Sequence, residues 1–141
     1  MFDDDLSLQK LNDMGKNTML DNLGIEFTEI NKHYLKAKMP VDHRTVQPFK
    51  LLHGGASVAL AETLGSVASF LLIDAEQFAP VGLEINANHI KSANTGEWVE
   101  GKVSPIHIGT KTHVWEIKIL NTNDDLVCVS RLTVAIVKRK K

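Results

Sequence analysis

From Gly54 to Ile73 the chain reads GGASVALAETLGSVASFLLI: good helix formers, no proline, and a single charge, the carboxylate of Glu62. A helix exposed on a soluble protein carries a polar face with several charges. This one is apolar or small nearly all round, so it has to be buried on most sides. A transmembrane span needs about 20 mainly apolar residues, and the length fits. Against insertion stand Glu62 near the middle, dilution by glycine, serine and alanine, and the lack of a second such segment. The acidic start, Asp3-Asp4-Asp5, has no apolar run and does not read as a secretory signal. The rest of the chain must therefore surround a helix.

Residues 6–24 suit one or two short helical turns, with Leu6, Leu8, Leu11, Met14 and Leu20 as the apolar side and Gly15 and Gly24 as punctuation. Two strand-like runs follow and meet at a hairpin corner, Asn31-Lys32-His33. In the second run Leu35, Ala37, Met39 and Val41 alternate with Lys36, Lys38 and Pro40, the period of a half-buried strand. Beyond the helix the pattern is strand throughout. VGLEINANHIKSA places Leu83, Ile85, Ala87 and His89 on one face, EWVEGKVSPIHIG is broken at Pro105, and the turn Asn121–Asp125 separates KTHVWEIKIL from LVCVSRLTVAIVK. Strands joined by short turns pair antiparallel, and a flat sheet cannot cover a helix on all sides. The expectation is α+β: one domain over residues 1–141, a short N-terminal helical segment (1–23), and an antiparallel sheet curled around one long helix.

Composition narrows the function. A formal charge of −1 argues against nucleic acid as a partner, and the basic run Lys138-Arg139-Lys140-Lys141 reads as a solvated terminus. Cys128 is the lone cysteine; it permits no internal disulfide, suits the cytoplasm, and sits in a run that reads as core. The histidines lack metal-ligand spacing, so no metal is expected. Trp98 and Trp115 read as core or interface anchors. His89 shares a strand face with apolar residues and suits a core role as well as a functional one.

Burying a carboxylate costs roughly 2–7 kcal/mol if it behaves like an unpaired polar group, and more for an ion; a residue kept there serves chemistry or a specific pairing. Glu62 and Ser66 are four apart and share a helix face. Gly65, three on from Glu62, suggests room beside them for a ligand or another helix. Gly54 and Gly55 stand at the helix N-terminus, where backbone N–H groups lack intrahelical partners and the macrodipole is positive. Gln47, in the preceding loop, offers an amide donor. Such donors can polarise an acyl carbonyl, at about 3–4 kcal/mol for one good donor. The carboxylate would either activate water or attack directly. A thioester suits this site, because its leaving group needs little protonation.

The blocks QPFKLLHGGASVALAETLGS, VGLEINANHIKS, IHIGTKTHVW and SRLT, spread over about residues 24–137, resemble the hotdog-fold acyl-CoA thioesterases, in the aryl-CoA branch. They look most like the hydrolases of 1,4-dihydroxy-2-naphthoyl-CoA in menaquinone synthesis and the proofreading thioesterases of siderophore synthesis. The resemblance implies Glu62 as nucleophile or general base. It gives the Gly54 N–H the task of polarising the carbonyl, with Gln47 assisting, His53 and Gly55 beside it, and Ser66 placing water. It implies an acyl and pantetheine channel at Gly82, His89, Lys91 and Ser92, and a coenzyme A nucleotide segment from His107 to Thr112 that includes Gly109, Thr110 and Lys111. It implies no cofactor, coenzyme A being part of the substrate, and a homo-oligomer, a dimer or dimer of dimers. In such an assembly Gln47 and Gly54 of one chain face Glu62 of another. An acyl or aryl carrier protein remains open as an alternative carrier, and a non-hydrolysing acyl-CoA-binding module as an alternative function. A hydratase would pair aspartate with histidine at the helix entry, where this chain has His53 and a distant Glu62. One residue more than the family pattern, around Asp74–Pro80, lengthens the loop after the helix.

Overall fold

Nineteen residues, Gly54–Leu72, form the long helix, and a six-stranded sheet wraps it. The computed structural model describes residues 1–3 and 5–140; Asp4 of the acidic start and Lys141 of the basic tail lie outside it. In chain order the elements are α1 (Leu8–Met14), α2 (Met19–Leu23), β1 (Glu26–Ile30), β2 (Leu35–Pro40), α3 (Gly54–Leu72), β3 (Phe78–His89), β4 (Trp98–Ile108), β5 (Thr112–Leu120) and β6 (Leu126–Lys138). The strands lie in the order β1-β2-β4-β5-β6-β3, every neighbouring pair antiparallel. This is the hotdog fold that the resemblance implies.

The short helices form where capping residues start them: Ser7 accepts from the Lys10 N–H and Thr18 from the Leu20 N–H. Gly24, at φ 72°, ends α2 in the left-handed conformation that glycine adopts without strain. Leu11 is buried and Leu6 and Leu20 pack on the core, but Leu8 and Met14 point outward, contrary to the apolar side expected of them. The β1–β2 hairpin forms at the expected corner, with the Asn31 N–H donating to the Tyr34 carbonyl.

One face of α3 fills the curl of the sheet. Leu60, Ala61, Leu64 and Ala68 are fully buried there with Leu35, Met39, Trp115, Ile117, Ile119 and Leu132. Each large aliphatic side chain contributes about 1.5–3 kcal/mol by leaving water. Gly65 permits the approach: a Cβ on it would lie 2.5 Å from Leu132 Cδ2 on β6. Its missing side chain thus admits the sheet, and not the ligand or second helix that the spacing suggested. The helix is long and apolar enough to cross a membrane, but it is the core helix of this fold.

Two strands depart from the expected pattern through bulges. On β3 the register shifts between Gly82 and Glu84, which turns Leu83 outward at 63% exposure while Ile85 and Ala87 pack on the core. Leu83 therefore does not share a face with Ile85, Ala87 and His89. On β4 the strand continues through Pro105, and a register shift between Pro105 and His107 accommodates the residue that cannot donate to the ladder. β3 is an edge strand, long and carrying exposed Val81 and Leu83, with exposed Ile90 just past its end. After α3, Asp74 closes a compact turn by accepting from the N–H groups of Glu76, Gln77 and Phe78.

Near its C-terminus α3 is tied to β5 by polar contacts inside the core. Ser69 Oγ lies 2.8 Å from Trp115 Nε1 and 2.9 Å from His113 Nδ1, and all three residues are buried. The Phe2 ring stacks on Trp115.

Candidate active site

The helix entry is held by a rigid loop. Val46 bridges to Leu52, the His53 N–H donates to the Thr45 carbonyl, and the Leu52 N–H donates to Ala93. Thr95 Oγ1 donates to the Lys50 carbonyl at 2.6 Å, at a residue whose φ is 66°. Within the loop Gln47 Oε1 accepts from the Phe49 N–H, which leaves the Gln47 NH2 group as the free end of its amide. His53 is the N-cap: its Nδ1 accepts from the Gly55 N–H at 2.7 Å, so the proton of the neutral ring sits on Nε2. The Ala56 and Ser57 N–H groups donate to the His53 carbonyl. The Gly54 N–H has no partner among the described residues.

Gly54 opens into a cavity of about 300 Å³ that it shares with Gln47, His89, Lys91, Ser92 and Ser57. His89 lies across the helix entry, with Nε2 2.9 Å from where a Gly54 Cβ would stand. Lys91 is engaged elsewhere as well, pairing with Asp125 Oδ2 at 2.7 Å. That ammonium, with the Asn121 amide, holds the Asp125 carboxyl below the usual carboxylate range.

Glu62 and Ser66 line a second, more apolar cavity of about 440 Å³ on another side of α3, with Gly55, Val58 and Thr63 and with Met19 and Leu20 from α2. The Glu62 carboxylate is half-buried and has no hydrogen bond or ion pair to any described residue. Its Oε1 lies 2.9 Å from the position of a Gly82 Cβ, so a side chain at Gly82 would displace it. Within one chain, then, Gln47 and Gly54 are gathered in one cavity and Glu62 and Ser66 in another.

His107, Gly109, Thr110, Lys111 and Thr112 make the β4–β5 turn, at the opposite end of β4 from the helix entry. The Gly109 N–H donates to the Thr112 carbonyl, the His107 ring covers Gly109, and Lys111 is exposed. Lys91 and Ser92 are thus apart from this turn within the same chain. Sequence reasoning assigned neither Ser57 nor the α2 residues Met19 and Leu20 to the site. The three-residue step from Gly54 to Ser57 was legible; the packing of α2 against α3 was not.

The profile of the family described as "Thioesterase superfamily" matches residues 49–128, more than half of the chain. The chain belongs to the thioesterase superfamily. It is 52% identical over 131 residues to the 1,4-dihydroxy-2-naphthoyl-CoA hydrolase of Escherichia coli, covering 93% of this chain and 95% of that one. It is 45% identical over 132 residues to the proofreading thioesterase EntH of Klebsiella pneumoniae, covering 94% of this chain and 95% of that one. Among solved structures a mutant thioesterase of Pseudomonas aeruginosa superposes with a TM-score of 0.94 at 46% identity, over 98% of this chain and 99% of that one. A Haemophilus influenzae thioesterase gives 0.92 at 42% identity, over 97% and 94% of the two chains. This chain is accordingly a thioester hydrolase.

Proposed function

We propose that this thioesterase hydrolyses acyl-CoA thioesters with an aromatic acyl group, 1,4-dihydroxy-2-naphthoyl-CoA first, with Glu62 as nucleophile or general base. The observation that carries this reading is the carboxylate itself: half-buried, unpaired among the described residues, and lining an apolar cavity. The 52% identity to a 1,4-dihydroxy-2-naphthoyl-CoA hydrolase supports the acyl group. As a base, Glu62 takes a proton from water while the water oxygen bonds to the thioester carbon. As a nucleophile, a Glu62 oxygen forms that bond and yields an anhydride, which water then opens. Either way the carbonyl electron pair moves onto oxygen, where the Gly54 N–H and the Gln47 NH2 receive it. Collapse breaks the carbon–sulfur bond and releases the coenzyme A thiolate. Ser66, one turn from Glu62, orients the water, and His53 fixes the helix entry through its cap.

Two cavities in one chain require a second copy to make one site. Gly82, beside Glu62, and His89, beside Gly54, lie on the exposed edge strand β3. A two-fold axis passing between them pairs two β3 edges, covers Val81, Leu83 and Ile90, and brings Glu62 of one subunit to Gly54 of the other. The same axis brings the Lys111 turn of one subunit toward the Lys91 and Ser92 end of the other, where a lysine suits the coenzyme A phosphates.

A thiol-release assay tests the reading with 1,4-dihydroxy-2-naphthoyl-CoA, 4-hydroxybenzoyl-CoA, a medium-chain acyl-CoA and an aryl-loaded carrier protein. Wild type turns over the aryl-CoA substrates, and Glu62→Gln loses about 10²–10⁴-fold in kcat. An unchanged kcat in Glu62→Gln removes the assigned role. The similarity to a proofreading thioesterase favours one alternative, that the carrier-protein thioester is the preferred substrate; faster turnover of that member of the panel would establish it.

A further inference from the structure

Ser57 is 2% exposed and lines the cavity that holds Gly54, Gln47 and His89. Its N–H donates to the His53 carbonyl, but its hydroxyl has no partner among the described residues. The hydroxyl is not sealed in the packing either: among the described residues the one buried side-chain polar atom closed off without a partner is Thr28 Oγ1. Ser57 Oγ therefore opens into the cavity. Its direction follows from helix geometry, since a side chain leans toward the turn N-terminal to it and residues three apart are neighbours. Ser57 leans toward Gly54, whose lack of a side chain lets the His89 ring close in from the strand side and leaves the Ser57 hydroxyl on the cavity that all three line.

We propose that the Ser57 hydroxyl is a third hydrogen-bond donor to the thioester carbonyl oxygen, beside the Gly54 N–H and the Gln47 NH2 group. The proposal rests on the acyl-CoA hydrolysis reading above. Three unpaired donors enter one cavity: the first backbone N–H of a 19-residue helix, an amide whose oxygen is engaged by the Phe49 N–H, and a buried hydroxyl. A space so furnished favours a strong acceptor, and a carbonyl oxygen becoming an oxyanion is one. When the nucleophile's electron pair forms the new carbon–oxygen bond, the carbonyl pair moves onto oxygen and Ser57 donates to it without giving up its proton. When the pair returns, the carbon–sulfur bond breaks and Ser57 is unchanged.

The test uses the full chain, with Ser57→Ala and Ser57→Thr made in wild type and in Glu62→Gln. We expect Ser57→Ala to lose about 10²-fold in kcat, with KM within about two-fold and Tm unchanged or raised. Ser57→Thr, which restores the hydroxyl, regains most of the rate. In Glu62→Gln the carbonyl stretch of bound, carbonyl-labelled benzoyl-CoA lies below its value in water, and adding Ser57→Ala moves it part of the way back. If wild type hydrolyses the panel while Ser57→Ala keeps its kcat and the stretch does not move, the Ser57 role is overturned and the hydrolase reading stands. If wild type hydrolyses nothing, both fall. If Ser57→Ala fails to fold, the hydroxyl was partnered after all, and the proposal is overturned on that ground.

Discussion

The two ends of α3 carry the same kind of residue in opposite states. Ser57, near the start, and Ser69, near the end, are both buried and both serines on one helix. Ser69 is held by Trp115 and His113 inside a solid core; the Ser57 hydroxyl has no partner among the described residues and faces a cavity. The contrast extends to their neighbours. At the entry a backbone N–H, an amide and a hydroxyl stand unpaired, whereas at the far end the serine, histidine and indole satisfy one another. Unpaired donors weaken a fold and prepare a site for an acceptor; paired ones lock an element in place. One helix thus serves as scaffold at one end and as binding surface at the other. Glu62, between them, is unpaired like the entry but opens on a different side.

The largest effect should come from removing the unpaired groups, at the entry and at Glu62. Gln47→Ala removes a donor and Glu62→Gln the carboxylate, and each is expected to lose at least about 10²-fold in kcat. Dissociated and reassociated at equal concentration, the two inactive variants should regain about a quarter of wild-type activity. Half of the resulting dimers are mixed, and each mixed dimer holds one doubly altered and one intact site. No recovery after verified subunit exchange would place the whole site within one chain. The far end should respond in stability instead. Ser69→Ala strands Trp115 Nε1 and His113 Nδ1 in the core, a loss of about 2–6 kcal/mol given about 1–3 for each orphaned group, read as a lower denaturant midpoint. Activity per folded molecule should hold. A Ser69→Ala protein as stable as wild type would dissolve the distinction between the two ends.

How much of this was legible beforehand follows the same division. The buried helix, its strands and their order were readable because Leu35, Ala37 and Met39, and the uncharged run around Glu62, repeat at the periods of strand and helix. Bulges leave no such period. The outward turn of Leu83 depends on one extra residue in the β3–β6 ladder, and the passage through Pro105 on a register shift against β5. Gly65 was misread for a related reason: a glycine marks a close approach, and only the packing tells whether Leu132 or a ligand makes it. Site residues were visible as an inventory, Gln47, Gly54, Glu62 and Ser66. Their division between two cavities was not, because helical spacing gives the side of α3 and not what lies against it. Ser57 shows the limit: a serine among alanines is ordinary until its hydroxyl proves to be without a partner.

The smallest effect, and the one most specific to the far end, is in the pH dependence of stability. Burial pushes the His113 imidazole below its ordinary value of 6.5, its contact with the Gly109 backbone opposes that, and His107 nearby adds to it. The hydrogen bonds agree with a neutral ring. Trp115 Nε1–H donates to Ser69 Oγ, so the Ser69 proton is free to go to His113 Nδ1. A protonated ring would turn that bond round and leave the Ser69 proton without an acceptor. Because the folded value is depressed, the unfolded chain takes up the proton first as pH falls. Stability is therefore full well above 6.5 and declines as pH drops below it, by at most about 1.4 kcal/mol per pH unit from this one group. Urea midpoints of wild type and His113→Gln between pH 7.5 and 5 isolate it from the other histidines. His113→Gln should start lower but lose less on acidification. Parallel declines would mean that His113 titrates as it does in the unfolded chain, and that the far end of α3 is wetter than its packing implies.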